Sequence, residues 1–352
     1  MIALCTLYDS HYLNRGLALY ESIERYSNDY VMYVLAMDDT CYNILSTMRL
    51  PRIRPIRLSD FETADLQQVK KGRSVGEYCW TCKAPLIKYA LADSHQDYCA
   101  YLDSDLYFYG DPHLFVNEML SREASVLLVG HRYNRFAAKA DERKIGKYCA
   151  GTVVFKANGA GMRILDTWER QCLECCCLSN DGIHYGDQKY LDEWPIKELS
   201  AVETVNMGAG VASWNLAQYR LISQNEYGPT IVRHKNKDYA VLFYHFHALV
   251  YTAPRRVKSY AMTAWGASKV LLDCFYKPYL NHIDAINRHL KLDFGLDVNN
   301  MRKDKKTVVS SSNRWKQRFM KVNNMLTFSG WKFLMFQDLP TKIYWNKDEV
   351  SF

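Results

Sequence analysis

Two carboxylates stand one residue apart at the end of an apolar segment. The stretch DYCAYLDSDLYFYGDP is apolar and aromatic from Tyr98 to Leu102 and then reaches Asp103-Ser104-Asp105. Because side chains two residues apart on a strand point to the same face, Asp103 and Asp105 can direct both carboxylates to one point. Two hard oxygen ligands suit Mn²⁺ or Mg²⁺ and leave positions for phosphate oxygens and water. A solvated turn is the alternative, but the place of the pair after an apolar strand favours a metal site.

Two histidines, an acidic turn and a lysine are further candidates. His245 and His247 lie two residues apart in the apolar segment LFYHFHALV. Two histidines on one face of a strand need partners, and a metal or a bound ligand can supply one. Asp187-Gln188 lies in a short polar turn within HYGDQKYLDEWP, and Lys83 opens the helix before the acidic strand end. From there its ammonium group could reach a phosphate.

The segment MGAGVASWNLAQY also has the composition of a binding site. Gly208 and Gly210 permit close approach of the backbone to a ligand. Trp214 could stack on a sugar and Asn215 could form hydrogen bonds with it. A glycine turn with a buried tryptophan is an equally good interpretation.

Alternating strands and helices must position these residues. The segments MIALCTLY, YVMYVLAM and IRPIRL predict strands, and NRGLALYESIERY and CKAPLIKYALAD predict helices between and after them. This alternation predicts an α/β fold with a mostly parallel sheet and right-handed crossovers. Ligands of such sheets bind beyond the carboxyl ends of the strands. Tyr8-Asp9 and Asp38-Asp39 lie at such ends, like the acidic pair, so we expect them to converge on one rim.

The second half of the chain is less regular. ASVLLVGHRY and AGTVVFKAN predict strands, AGMRILDTWERQCLECC predicts a helix, and the pattern is helical and then basic from about residue 260. The sequence contains no G-x-G-x-x-G or G-x-x-x-x-G-K-[ST] loop, so a phosphate must be neutralised in another way. We predict a catalytic domain over 1–255 and a helical, basic region over 256–352.

Composition and the N-terminal segment bound the class of protein. The 352 residues are 48% hydrophobic and 24% charged, which suffices for one large domain with an appendage. MIALCTLYDS lacks the features of a signal peptide, and no segment approaches the ~18–20 apolar residues of a membrane span. We therefore expect a cytoplasmic protein, soluble or peripheral to a membrane. Its eleven cysteines, including CLECCC and CWTC, are expected to be reduced, with a zinc site or a redox pair less favoured.

The net charge of +7 is concentrated near the C-terminus. Basic residues interleaved with aromatic ones suit peripheral contact with an anionic membrane surface, whereas a solvated tail or a dimer contact is the alternative. The charge is modest for the length, and no nucleic-acid partner is expected. The residues of this tail are Arg302, Lys303, Lys305, Lys306, Arg314, Trp315, Lys316, Arg318, Phe319, Lys321, Trp331 and Phe333.

The order of the motifs resembles a known family. Strand–helix–strand, then YLDSDLYFYGDP, CAGTVVF, GDQKYL and FYHFHAL, is similar to the sugar-nucleotide glycosyltransferases of the GT-A fold, and most of all to glycosyltransferase family 8. The resemblance covers about residues 1–255, and the order and spacing of the motifs carry it. It implies a Rossmann-like sheet with flanking helices.

The resemblance implies roles for residues around the metal and the reacting carbon. Asp103 and Asp105 would hold Mn²⁺ or Mg²⁺, with His245 as the third protein ligand. Asp187 and Gln188 match the pair beside the anomeric carbon.

The resemblance also implies how the donor is held. Lys83 would contact the donor sugar or phosphate, and Thr6, Tyr8 and Asp9 of the first-strand loop would hold the nucleoside. Asp38 and Ser104 at strand ends, and Arg255 and Arg256, complete the set of nucleotide-sugar candidates. From their residue types, Trp214, Asn215 and His247 are the candidates for contact with the acceptor.

The chain departs from the family at three positions. Cys149 stands where an Asn precedes Ala-Gly, and Ala248 replaces the Gly of H-F-x-G. Tyr251 occupies the place of a phosphate-binding Lys, for which Arg255 and Arg256 are the nearby substitutes. These changes affect the donor and its phosphates but leave the predicted metal site intact.

The function implied is transfer of a hexose or related sugar from a nucleotide-diphosphate sugar, with UDP expected, to a glycan or lipid-linked glycan. Retention of anomeric configuration follows from the family, and the pathway expected is synthesis of cell-surface polysaccharide or lipopolysaccharide. An inverting reaction with Asp187 as the base stays open. A sugar-nucleotide nucleotidyltransferase and a non-enzymatic nucleic-acid-binding protein are the alternative functions.

Overall fold

A computed structural model describes residues 1–133, 138–179, 183–223, 231–253, 256–259, 269–298, 341–345 and 350–351. Arg255 and the basic tail from Arg302 to Phe333 lie outside these residues. Arg256 begins a strand, but its side chain is outside the description. Within the described residues, none of the helices combines the length and the apolar character that crossing a bilayer requires.

Strands of the first 203 residues build the scaffold of the site. Each predicted strand is present, together with two short strands that were not predicted, one directly after the acidic pair and one at Ala201–Glu203. In chain order they are β1 (Ile2–Tyr8), β2 (Tyr30–Ala36), β3 (Ile53–Arg57), β4 (Tyr98–Leu102), β5 (Leu106–Phe108), β6 (Val126–Gly130), β7 (Tyr148–Lys156) and β8 (Ala201–Glu203).

Helices cover both faces of these strands. α6 begins at Lys83, as predicted, and α5 begins with a capping box formed by Ser74 and Glu77. The helices are α1 (Leu13–Glu24), α2 (Asp39–Met48), α3 (Leu58–Phe61), α4 (Ala64–Lys70), α5 (Val75–Thr81), α6 (Lys83–Ser94), α7 (His113–Ser121), α8 (Ala138–Ile145), α9 (Gly159–Glu174), α10 (Trp194–Lys197) and α11 (Lys269–Phe294).

The central sheet is mostly parallel and buried on both faces. Among the described residues its seven strands have the order β3-β2-β1-β4-β7-β6-β8. Along β1, Ile2 and Leu4 belong to one hydrophobic cluster, and Ala3 and Cys5 belong to the cluster on the opposite face. Burial on both sides explains why these strands are continuous apolar segments. The predicted α/β class with a mostly parallel sheet and flanking helices is confirmed.

One strand of this sheet runs against the others. β7 is antiparallel to both β4 and β6, a direction that the alternation of elements did not predict. Leu102 pairs with Thr152, and the N–H of Asp103 donates to the carbonyl of Gly151 at 2.8 Å. The reversed strand therefore places Gly151 directly beside the first residue of the acidic pair.

A smaller sheet brings the histidine segment to the acidic pair. β9 (Ala209–Ala212) and β13 (Phe243–His245) join β5 in the order β5-β13-β9. Leu106 pairs with His245, and the N–H of Phe246 donates to the carbonyl of Asp105 at 2.9 Å. Residues about 140 positions apart in sequence thus become neighbours through strand register.

The remaining strands lie in two smaller sheets, β10-β11-β12 and β14-β15-β16-β17. They are β10 (Arg220–Ser223), β11 (Ile231–His234), β12 (Lys237–Ala240), β14 (Val250–Ala253), β15 (Arg256–Ser259), β16 (Thr341–Trp345) and β17 (Val350–Ser351).

α11 lies beyond the domain boundary predicted at residue 255 and packs against α1. Asn14 donates to Asn287 at 2.8 Å, and the ring of Tyr279 stacks on Phe246 with centroids 3.7 Å apart. α11 therefore supports the segment that carries the histidines. The boundary itself stays a prediction.

Candidate active site

A cavity of about 770 Å³ opens at the carboxyl ends of β1 and β4. It lies where the strand–helix alternation predicts a ligand site. The predicted residues that line it are Tyr8, Asp9, Lys83, Asp103, Ser104, Asp105, Asp187, Gln188, Trp214, His245 and His247. We call this space the central cavity.

Lys83 is the buried cation of the central cavity. Its side chain is 4% exposed, and Nζ lies 3.2 Å from Asp103 Oδ1 and 3.1 Å from Asp187 Oδ2. Nζ also donates to the carbonyl of Ala150 at 3.1 Å. Although burial opposes the charged form, the carboxylates of Asp103 and Asp187 raise the pKa of Lys83, so it is a fixed ammonium group.

The ammonium group of Lys83 thus pairs with the carboxylates of Asp103 and Asp187, and the pKa of Asp187 is shifted from its ordinary value. Burial, together with the nearby charge of Asp103, raises the pKa of Asp187 to about 6 although Lys83 acts in the opposite direction. The turn that carries Asp187 is fixed from behind, because the indole Nε1 of Trp168 donates to the carbonyl of Asp187 at 2.9 Å. Asp187 is therefore held rigidly against Lys83.

Asp105 and His245 form a second buried pair. Asp105 Oδ1 lies 3.1 Å from His245 Nε2. Burial alone would lower the pKa of His245, but Asp105 raises it well above its ordinary value. Burial alone would likewise raise the pKa of Asp105, yet His245 lowers it. The two side chains are thus oppositely charged when no metal ion is bound.

The donor set fits a divalent cation. Asp105, His245 and His247 each offer a ligand atom, and these atoms lie within 4.8 Å of one another. His245 Nε2 is buried and makes no well-aligned hydrogen bond within the described structure, as expected of a nitrogen that awaits a ligand. A carboxylate with imidazoles suits transition-metal ions such as Mn²⁺.

This group contains two of the three predicted metal ligands, Asp105 and His245. His247, predicted to contact the acceptor, joins Asp105 and His245, whereas Asp103 is not part of the group. Asp103 Oδ1 accepts from the hydroxyl of Tyr101 at 3.0 Å and faces Lys83. Its Oδ2 lies on the side of Gly151 that also faces His245. That second oxygen keeps Asp103 a candidate ligand.

Gly151 is a site residue that the sequence did not single out. An ideal Cβ built on it would lie 2.7 Å from Asp103 Oδ2 and 2.9 Å from His245 Cε1. Real Cβ atoms do not approach so closely, so only glycine lets these two side chains face each other across β7.

We expect Gly151→Ala to weaken Mn²⁺ binding by roughly 10-fold or more, because the added methyl group pushes candidate ligands apart. Overpacking should also lower the free energy of unfolding by about 1–3 kcal/mol. Electron paramagnetic resonance of free Mn²⁺ measures the first effect, and urea denaturation measures the second. Gly72→Ala is the control, because a Cβ there meets nothing closer than 4.0 Å. Unchanged Mn²⁺ affinity in Gly151→Ala would refute this role.

Ala248 adopts a backbone conformation that favours glycine. Its φ is +54°, in the left-handed region, at the position where the resemblance has Gly. The loop is held by Arg15, whose Nη2 donates to the carbonyl of Leu249 at 2.6 Å. The methyl group of Ala248 therefore strains the backbone of the turn directly after the histidines and lowers the stability of the folded protein.

We expect Ala248→Gly to stabilise the protein by about 1 kcal/mol, since relief of the left-handed strain outweighs the added freedom of the unfolded chain. The urea midpoint should rise. The matched control is Ala92→Gly, an exposed position inside α6, where the same change should cost about 1 kcal/mol. A fall in stability for both variants would show that Ala248 is unstrained.

Three of the predicted contact residues do not line the central cavity. Thr6 is fully buried within β1 and does not line the central cavity. Asp38 caps α2: it accepts from the N–H of Cys41 at 2.7 Å and from the N–H and hydroxyl of Ser10 at 2.9 and 2.8 Å. Its oxygens are used by the chain and do not reach the cavity.

Asn215 is the third. It is 0% exposed, and its amide donates to the carbonyls of His131 and Gly210 at 3.0 and 2.9 Å. Its Oδ1 accepts from the N–H of Ala212 at 2.9 Å. Each polar atom is satisfied by backbone, so Asn215 shapes the glycine turn, and it does not line the central cavity. Trp214, in contrast, does line the cavity.

An aromatic side chain that is not among the predicted site residues also faces the cavity. Trp80, within CWTC, lines it and packs against Gly186, where an ideal Cβ would lie 3.1 Å from the indole ring. Gly186 has a φ of +60°, so glycine is required there on both counts. Tyr133 and Tyr185 also line the cavity, which gives it several flat apolar surfaces.

Cys149 lines the central cavity beside the imidazole of His245. Its Sγ is 3.8 Å from His245 Nδ1, and the nearby imidazole of His131 also acts on it electrostatically. Burial would raise the pKa of the thiol, but His131 and His245 outweigh it and lower the pKa to about 5. All eleven cysteines are free thiols, and none belongs to the metal-ligand groups found among the described residues.

The cavity is strongly acidic. Among the described residues that line it, Asp9, Asp103, Asp105 and Asp187 are acids, and Lys83 is the only lysine or arginine. A diphosphate group would be repelled by such a lining. An additional cation is therefore needed if the cavity is to receive one.

Comparison with known proteins adds distant relatives. No family model matches the chain. The uncharacterized protein YfnF of Bacillus subtilis (strain 168) is 29% identical over 225 residues, which cover 62% of this chain and 73% of YfnF.

Two solved structures are similar at low identity. Mouse xyloside xylosyltransferase 1, in its apo form, is 10% identical with a TM-score of 0.45, over 70% of this chain and 98% of that chain. The galactosyltransferase LgtC, in complex with donor and acceptor sugar analogs, is 13% identical with a TM-score of 0.46, over 80% and 95%. Both are glycosyltransferases, the class that the order of motifs resembles. At these identities and TM-scores the function of this chain has to be inferred from its own site.

Proposed function

We propose that the chain is a metal-dependent glycosyltransferase that moves a hexose or related sugar from a nucleotide-diphosphate sugar, with UDP favoured, to a glycan or lipid-linked glycan. The observation that carries the proposal is the convergence, in one cavity, of a cation-ready carboxylate–imidazole group with a second, lysine-bridged pair of carboxylates. Retention of configuration and a role in cell-surface polysaccharide or lipopolysaccharide synthesis are proposed from the motif resemblance.

The metal would be held by Asp105 and His245, with Asp103 and His247 as further candidates. When bound, the divalent cation would neutralise a diphosphate and so make it a better leaving group. It would also offset the acidic lining of the central cavity, where Lys83 is the only lysine or arginine among the described lining residues.

The residues of the chain would orient the donor and stabilise the departing charge. Lys83 provides a buried, permanently charged ammonium group at the wall of the cavity, and such preorganised charge is usually the largest catalytic contribution. Trp80 and Trp214 offer flat surfaces on which the apolar faces of a sugar ring can pack. Their position in the cavity wall excludes water from the reacting carbon.

Asp187 and Gln188 would line the reacting face. Gln188 Nε2 donates to the carbonyl of Ile145 at 3.2 Å, which fixes the orientation of its amide. Asp187 is engaged with Lys83, so we propose that it positions the ammonium group and the donor. With its pKa raised to about 6, it is ionised above neutral pH and can hold Lys83 in place there.

The basic tail remains the basis for a proposed peripheral contact with an anionic membrane at the cytoplasmic face. Each Lys or Arg near such a surface contributes about 1 kcal/mol. Such a contact would hold the enzyme beside a lipid-linked acceptor.

A panel of UDP-, GDP- and CDP-sugars, incubated with the protein and Mn²⁺, tests the function. We expect one of them to release its nucleoside diphosphate, and chelation of the metal with EDTA to stop the release. Formation of labelled nucleoside triphosphate and sugar 1-phosphate from the sugar nucleotide and labelled pyrophosphate would indicate a nucleotidyltransferase and contradict the proposal. A panel in which no donor is turned over with or without Mn²⁺ would also count against it.

A further inference from the structure

His245 has two ring nitrogens with different surroundings. Nε2 faces Asp105 Oδ1 at 3.1 Å and belongs to the group of possible metal ligands. Nδ1 faces the sulfur of Cys149 at 3.8 Å. A neutral imidazole carries its proton on one nitrogen, so binding a cation through Nε2 requires the proton to be on Nδ1. Whatever accepts a hydrogen bond from Nδ1 therefore decides whether Nε2 is ready for the metal.

Cys149 is placed to be that acceptor. It lies on β7 with 8% of its surface exposed, two residues before Gly151, which allows His245 to approach the strand closely. A sulfur can accept the Nδ1 hydrogen bond whether or not it carries its own proton. In most metal sites a carboxylate or a backbone carbonyl performs this task.

His131 is a second buried imidazole that lines the central cavity with Cys149. It is 5% exposed, and its Nδ1 lies 3.1 Å from the carbonyl of Gly146, which can only accept a hydrogen bond. His131 Nδ1 is therefore a protonated donor that faces Gly146. Its imidazole is locked further by stacking on Tyr133, with centroids 4.7 Å apart.

A small cavity behind the same side chains has one unsatisfied polar group. It holds about 10 Å³ and is lined by Cys149, His245, Thr152 and Trp214 among others. Thr152 is 1% exposed, and its Oγ1 has no hydrogen-bond partner within the described structure. This volume is at the lower limit for a single water molecule, so Cys149 is the direct polar neighbour of His245 Nδ1.

We propose that Cys149 is a positioning residue for the metal site: its sulfur accepts the Nδ1 hydrogen bond of His245 and so presents Nε2 to the cation. The proposal rests on the metal site of the proposed function. It gives a role to the cysteine that stands where the resemblance has Asn.

The test is the Mn²⁺ dissociation constant, measured by electron paramagnetic resonance on the full chain without any donor. Cys149→Ala and Cys149→Val both remove the acceptor, and Val keeps the volume filled. Loss of an outer-shell partner typically weakens metal binding about 10–100-fold, and we expect a loss in this range for both. Cys149→Ser keeps an acceptor and should recover most of the affinity.

A control variant and a spectroscopic measurement show whether Cys149 variants lose Mn²⁺ affinity through poorer packing or through loss of the hydrogen bond to His245. Cys99→Ala removes a fully buried thiol on β4 and should leave Mn²⁺ affinity unchanged. In protein labelled with ¹⁵N-histidine and loaded with Mg²⁺, the Nδ1–H signal of His245 should show a hydrogen-bonded proton in the wild type and in Cys149→Ser. In Cys149→Val it should move to the position of an N–H without an acceptor.

The possible failures are distinguishable. A wild type that binds no Mn²⁺ would overturn the metal site of the proposed function and this proposal with it. If the wild type binds Mn²⁺ and folded Cys149→Val binds it equally well with an unchanged Nδ1–H signal, the role of Cys149 is refuted while the metal site stands. Equal losses in Cys149→Val and Cys149→Ser would likewise refute it.

Discussion

Replacing Asp105 with asparagine should abolish metal-dependent turnover while leaving the fold intact. Asparagine keeps the shape of the side chain but loses the charge that faces His245 at 3.1 Å and that a cation requires. Loss of several kcal/mol of charge stabilisation at a diphosphate corresponds to a fall in kcat/KM of about 10³-fold or more. Release of nucleoside diphosphate, measured with the donor that the panel identifies, gives the ratio.

The control for Asp105→Asn is the same change at Asp60, which is exposed on α3 and remote from the central cavity. Asp60→Asn should keep wild-type turnover and Mn²⁺ affinity. Circular dichroism should show that both variants are folded. If Asp105→Asn releases nucleotide at the wild-type rate, this carboxylate has no part in the reaction.

Replacing Lys83 with methionine should produce the largest loss of stability. Methionine fills a similar volume but leaves Asp103 and Asp187 without the ammonium group that both contact within 3.2 Å. Removing one partner of a buried ion pair costs about 3–5 kcal/mol, because the remaining charges are uncompensated. Urea denaturation at pH 8 measures this loss. Donor turnover should fall as well, since the fixed positive charge is gone.

A neighbouring lysine of the same helix is the matched control. Lys88 pairs with Asp166 and Glu169 but is 35% exposed, so Lys88→Met should cost no more than about 1 kcal/mol. The double variant Lys83→Met with Asp187→Asn should recover part of the stability, because it removes one of the stranded charges. Equal effects of Lys83→Met and Lys88→Met would contradict the buried-cation role.

The loss caused by Lys83→Met should depend on pH in a defined direction. The pKa of Asp187 is already raised to about 6 in the folded protein, above its value in the unfolded chain. Without Lys83 the pKa should rise further, so stability is lost as pH increases through the folded value and is regained as pH falls below it. The difference between variant and wild type should therefore shrink between pH 8 and pH 5.

The ends of the apolar segments in the sequence predicted which residues form the site more reliably than they predicted which of those residues contact one another. The acidic pair, Lys83 and the Asp187 turn follow directly from apolar segments that end in polar residues, because the period and ends of strands and helices are encoded locally. The central cavity accordingly contains most of the predicted residues.

The pairing of strands that are distant in the sequence could not be predicted from local patterns. The reversed direction of β7 places Gly151 and Cys149 against the metal group, and nothing within β7 itself specifies a direction. Likewise, Asp38 and Asn215 have the residue types of ligand-binding side chains, but neighbouring backbone uses their hydrogen bonds. How deeply a side chain is buried, and which groups it forms hydrogen bonds with, depend on how the strands assemble into the sheet.

The central claim is that Asp105 and His245 hold a divalent cation that receives the phosphates of a nucleotide. The most direct measurement is anomalous diffraction at the manganese edge from crystals grown with Mn²⁺ and UDP. We predict one peak within coordination distance of Asp105 and His245 and in contact with diphosphate oxygens. A peak only at the group formed by Asp9, His11 and Asp38, or no peak beside an unchanged Asp105–His245 pair, would contradict it.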